Sequence, residues 1–213
     1  SKTVSRAEIA ALKLGLNDAR LTYVRREDRS RSIEIAGASF NAGPSMSDKT
    51  PPDADRPGLD LRVDVDRLYF ASDRRLGRLS FVGRRSADRW ETASLSASTG
   101  DDLQLGQFVS LSLTEEGANQ KLDLRADDGG AFLRALDITP SIVGGALTAT
   151  GATDSRRAGR PLVGKLHMDA FRAVKAPTLA RLLGVALLTG IVDTLSGQGV
   201  GFSGMNIDFA YYG

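Results

Sequence analysis

The chain has 213 residues, 41% of them hydrophobic, enough for one large domain or two small ones with a real core. Its 28 basic and 26 acidic residues leave a net charge of only +2, a balance that does not suggest a nucleic-acid binder. There is no cysteine, which excludes disulfides, thiol catalysis and cysteine-based zinc sites and is compatible with an exported protein.

Arginine supplies most of the positive charge, in pairs placed in turn-like stretches: Arg25-Arg26, Arg74-Arg75, Arg84-Arg85 and Arg156-Arg157. The plain reading is solvated hairpin tips. The sharper one is that some tips touch anionic lipid headgroups or a partner. Ser1-Lys2-Thr3 runs directly into patterned sequence without the look of a signal peptide. The longest uncharged apolar run, Leu182 to Val192, falls short of the roughly 20 residues of a membrane span. The sequence stops at Tyr211-Tyr212-Gly213 inside a strand pattern, which reads as a piece of a longer protein.

Most of the chain alternates with period two. Ile9 to Leu16 and Ala19 to Val24 predict two strands around an Asn17-Asp18 turn, and Ser32 to Phe40 a third. From residue 41 to 58 the pattern lapses into Pro, Ser, Asp and Gly. This predicts a division into residues 1–43, strands of an incomplete N-terminal sheet, a loop at 44–58, and a main region at 59–213. Leu59, Leu61, Val63 and Val65 alternate with Asp60, Arg62, Asp64 and Asp66, one oily face and one charged face. The pattern recurs around Phe81, Leu95, Leu111 and Leu122, with turn clusters between, at the spacing of an antiparallel meander. Asp127-Asp128 predict the cap of a short helix, about 128–137, ended by Pro140. Strands from Ala146 to Ala152 and from Leu162 to Val174 follow. Pro177 then opens a helix, about 177–195, that is apolar on almost every side and so must be covered on both. A last strand runs from Phe202 to Tyr212.

No catalytic constellation is found. His167 is the one histidine and lies on the polar side of its strand, with no second His or Cys to share a metal. The acid pairs Asp101-Asp102, Glu115-Glu116 and Asp127-Asp128 fall in turns or at a helix start, where capping and solubility explain them. Gly197-Gln198-Gly199-Val200-Gly201 follows a helix instead of preceding one, the wrong order for a phosphate loop. No enzyme and no cofactor are expected.

The runs Asp127-Asp128-Gly129-Gly130-Ala131-Phe132-Leu133-Arg134-Ala135-Leu136 with Gly144-Gly145-Ala146-Leu147, and Phe171 to Leu183 followed by Leu195-Ser196-Gly197-Gln198-Gly199-Val200-Gly201-Phe202, resemble the AsmA-like C-terminal region of bacterial envelope proteins. The resemblance spans roughly Leu59 to Gly213; the first fifty residues share only strand character. It implies a periplasmic, inner-membrane-anchored protein with a long, bent β-sheet. It also implies a role in carrying phospholipid between inner and outer membranes, with the anchor outside this chain. The expected fold is therefore mainly β: a bent antiparallel sheet forming a β-groove, one short helix and one apolar helix.

The physics of the alternation agrees with that role. A curved sheet turns its oily face into a trough, and hydrocarbon tails ask only for Leu, Val, Ile and Phe at every second position. The expected lining is Leu61, Val63, Val65, Phe81, Leu95, Leu111, Leu122, Leu124, Met168, Ile207 and Phe209. Phe132, Leu136, Leu179, Leu182, Leu183 and Leu187, on the two helices, would cover or gate it. The expected partners are phospholipid acyl chains and, through the rest of a longer chain, inner- and outer-membrane proteins. The same pattern equally serves the inner face of a sandwich, or a sheet filled by its own helices. A second function of a different class is a non-catalytic scaffold that assists outer-membrane protein assembly or envelope integrity by pairing at a free sheet edge.

Overall fold

Period-two alternation interrupted by short polar turns builds nearly all of this molecule. The computed structural model describes residues 5–43, 57–86, 89–99, 107–117, 119–174 and 199–212. The strands are β1 (Arg6–Leu14), β2 (Asn17–Arg25), β3 (Arg31–Asn41), β4 (Leu59–Ala71), β5 (Arg74–Ser86) and β6 (Arg89–Ser98). After them come β7 (Phe108–Glu116), β8 (Asn119–Ala126), a short helix α1 (Gly129–Ala135), β9 (Ile142–Val143), β10 (Leu147–Thr153), β11 (Leu162–Ala173) and β12 (Val200–Tyr211). They form one open sheet in the order β1-β2-β3-β4-β5-β6-β7-β8-β10-β11-β12, with β9 beside the end of β11.

The first three strands are not a sheet of their own. β3 pairs with β4 along its length, Ile35 opposite Val63 and Ile33 opposite Leu61, and this one pair is parallel. Alternation reports which side chains share a face but not strand direction, so the boundary expected near residue 44 separates two stretches of a single sheet. The first turn also sits earlier than expected. Gly15 takes a positive φ of 60° and turns with Leu16, while Asn17 opens β2. The Asn17 side chain ties the corner: its Nδ2 donates to the Leu14 carbonyl and its Oδ1 accepts from the Asn41 backbone N–H.

Helix α1 starts where the aspartates place it. The Asp128 carboxylate accepts from the Ala131 N–H at 2.8 Å, satisfying one of the donors a helix start leaves open. The helix ends at Ala135, five residues before Pro140, because the chain turns at Asp137 with φ of 61°. Gly144 and Gly145, both at positive φ, then carry the chain back under the helix, and their carbonyls accept from the Gly130 and Gly129 N–H groups. The apolar helix expected at 177–195, with Leu179, Leu182, Leu183 and Leu187, lies outside the described residues. Among the described residues no helix is long and apolar enough to cross a membrane.

Candidate hydrophobic groove

Cross-strand register joins the apolar positions into rows. One row runs Ile9, Leu21, Ile35, Val63, Phe81, Leu95, Leu111, Leu124, Ala149, Leu166 and Ile207, each directly opposite the next. Every strand of the main path contributes one member and none is polar. A second row, one pleat away, passes through Val65 and Leu79 and, beyond a bulge in β5, through Ala97, Val109, Ala126, Leu147, Met168 and Met205. A third, on the other flank, includes Ile33, Leu61, Gly83, Ala93, Leu113, Leu122, Gly151, Gly164 and Phe209. All eleven residues expected to line a groove therefore lie on one face, in three adjacent rows. The opposite face carries Asp64, Ser80, Ser96, Ser110, Arg125, Thr148, His167 and Asn206, again each opposite the next.

The apolar face is concave. Gly129, at the start of α1, sits so close to β10 and β11 that an added Cβ would come within 2.7 Å of Leu147 Cβ and 2.9 Å of Met168 Cε. The same helix lines, with Ala131, Arg134 and Ala135, a cleft against Arg74, Arg75 and Gly77 of β5. In a flat sheet β5 and β11 lie five strand spacings apart, about 24 Å, whereas seven helical residues reach about 10 Å. The sheet must roll around α1 for both contacts to exist. The other end repeats the geometry. A cavity of about 200 Å³ is lined by Trp90 of β6, Leu113, Gln120, Leu162, and Tyr211 and Tyr212 at the end of β12. Those outer strands are also five spacings apart in register.

Burial divides the rows. The second row is closed by α1: Val109 and Met168 are 0% exposed, Leu147 1% and Val65 2%, and Phe132 and Ala135 of the helix are buried against this core. Val65 and Met168 were expected to line a groove; the helix seals this end, and both are spent on folding. Val63 is buried as well, among its strand neighbours. In the middle row Phe81, Leu95, Leu111, Leu124 and Leu166 are half-buried, and Ile9 and Ile207, at the two edges, are 43% exposed. Leu61, Leu122 and Phe209 of the third row are half-buried, as is Leu136 at the end of α1.

Three features of this face escape a reading by alternation. Trp90 would fall on the polar side by the parity of Ala93, Leu95 and Ala97. A register shift brings it opposite Arg85, onto the apolar side, where its ring meets Phe81 edge to face at 5.5 Å. Glycines 83, 151 and 164 interrupt the third row, and aromatic rings cover them: Trp90 and Phe81 over Gly83, Phe209 over Gly151 and Gly164. Gln120, buried beside Trp90, accepts from Arg89 at 2.7 and 2.9 Å and donates to the carbonyls of Trp90 and Glu91.

The polar face holds His167. Its ring nitrogens lie 2.8 Å from Asn206 Oδ1 and 3.1 Å from Asp169 Oδ1. The hydrogen bond to Asn206, then that to Asp169, raises its pKa above the ordinary 6.5. Among the described residues no group of His, Cys, Asp or Glu is placed to hold a metal ion. Comparison with known proteins gives no family assignment: no protein-family model, no curated protein and no solved structure matches the chain.

Proposed function

We propose that this chain shelters phospholipid acyl chains along the concave apolar face of its sheet, as a segment of a periplasmic, AsmA-like envelope protein that moves lipid between membranes. The observation that carries the reading is the middle row, eleven apolar side chains in unbroken register across the whole sheet. Folding alone accounts for the row beneath α1. It does not account for a further full-width row in which Ile35, Val63 and Ala149 are buried but Phe81, Leu95, Leu111, Leu124 and Leu166 stay half-open. At about 0.8 kcal/mol per buried methylene, withdrawing a two-chain lipid from a bilayer into water costs on the order of 20 kcal/mol. A hydrocarbon-lined trough restores most of that contact and needs no catalytic residue.

Native mass spectrometry of the protein made in bacteria tests this directly. Phospholipid should remain bound, and photo-cross-linkers at Leu111 or Leu95 should capture it. Lipid-free protein with no lipid adduct at either position would refute the groove.

A second reading has one observation in its favour. Among the described residues neither β1 nor β12 has a strand on its outer side, and they are nine and twelve residues long. Long open edges invite strand addition by another chain. Under that scaffold role, cross-linkers on β1 or β12 capture protein while those on the middle row capture nothing.

A further inference from the structure

The two ends of the groove differ in chemistry. At one, α1 lies across the buried second row. At the other, the apolar rows end in Arg25, Arg31, Leu59, Arg85 and Trp90, successive partners across β2 to β6, and in Leu162 and Tyr211 across β11 and β12. Tyr211 and Tyr212 are each 61% exposed. Four hairpin tips, 25–31, 84–89, 115–120 and 154–160, stand at this end. They hold ten arginines against six acids, an excess of four positive charges in a chain whose net charge is +2. Two of the tips meet across a cleft of about 430 Å³ lined by Arg26, Arg84 and Arg85 with Asp28, Asp60 and Glu91. The acids answer only part of the charge. Asp60 pairs with Arg26 and Arg84, and Asp154 with Arg157, whereas Arg25, Arg29, Arg31 and Arg156 form no ion pair among the described residues.

Trp and Tyr rings with an apolar body and a polar edge, ringed by arginine, suit the boundary between hydrocarbon and headgroups. Each arginine near an anionic leaflet adds attraction that salt screens. We infer that the Trp90–Tyr211 end of the sheet docks on an anionic bilayer surface, and that lipid enters or leaves the groove there and not at the α1 end. The inference takes its purpose from the lipid-groove reading, but docking is measured independently of it.

The test is flotation of the protein with vesicles of phosphatidylcholine alone and of phosphatidylcholine mixed with phosphatidylglycerol. Trp90, the only tryptophan, provides the second readout. The expected result is binding to the anionic vesicles only, weakened by salt, with Trp90 emission shifted to shorter wavelength and quenched by brominated acyl chains. Arg31→Glu with Arg156→Glu should weaken binding at least about tenfold. Arg67→Glu with Arg78→Glu, at the α1 end, should leave it unchanged. Equal binding to both vesicles, an unquenched Trp90, or equal loss from the two charge reversals would overturn the docking assignment. Native mass spectrometry of the same proteins separates the two claims. Protein that floats but carries no lipid refutes the groove and keeps the docking; lipid-loaded protein that does not float does the reverse.

Discussion

Leu147→Ala and Leu111→Ala remove the same three carbons from neighbouring rows of one face, so comparing them separates what the fold uses from what is left for a ligand. Leu147 is 1% exposed and packs beneath α1. Losing its transfer free energy, about 0.8 kcal/mol per carbon, together with a cavity term that the helix cannot collapse to fill, places the cost at about 3–5 kcal/mol. Leu111 is half-buried on the open middle row. It forfeits about half the transfer term and leaves no closed cavity, so about 1 kcal/mol of stability is expected to be lost. In a lipid-loaded groove its missing contact should cost about another 1 kcal/mol, a roughly fivefold loss of affinity for a fluorescent acyl probe. Urea midpoints and probe titration of the two variants give the comparison. Equal destabilisation by both, with unchanged probe affinity in Leu111→Ala, would mean that the middle row is spent on folding and would defeat the groove.

Three further outcomes follow from particular contacts. Gly129→Ala drives a methyl group into Leu147 and Met168; a loss of about 1–3 kcal/mol and increased binding of a hydrophobic dye are expected, since α1 would lift from the row it seals. Gln120→Ala leaves Arg89 and two strand carbonyls without their partner, and a loss of about 1–3 kcal/mol in denaturant unfolding should register it. His167 should titrate above 6.5 in a proton NMR pH series, where its single ring signal is unambiguous, and Asn206→Ala should move that midpoint down. Because the folded pKa is raised, the stabilisation is fully present below the unfolded value near 6.5 and is lost as pH rises through the folded one.

Much of the architecture is legible in residue spacing, because a half-buried strand writes its two faces into every second residue. The eleven lining candidates share one face for that reason. Three kinds of information are absent from spacing. The parallel joint between β3 and β4 leaves no trace, since direction does not alter which residues alternate. The bulge that turns Trp90 inward reverses the parity on which such a reading depends. The two-residue strand β9 is too short to show a period at all, yet Ile142 is buried beside the end of β11. The division of the apolar face into a sealed row and a half-open one is also tertiary. Leu147 and Leu111 look equivalent in a sequence, and the close approach of α1 to Leu147 distinguishes them.

The parallel joint between β3 and β4 also decides where charge collects. Had β3 met β4 head to tail, as every other neighbour does, the segment Arg25 to Arg31 would hang beside the α1 end, and the electrostatic potential along the trough would be nearly even. With the strands codirectional it stands instead beside the β5–β6 and β10–β11 turns, and the positive charge of the described residues gathers at the end opposite α1. One reversal of chain direction thus converts a symmetric slab into a vectorial one.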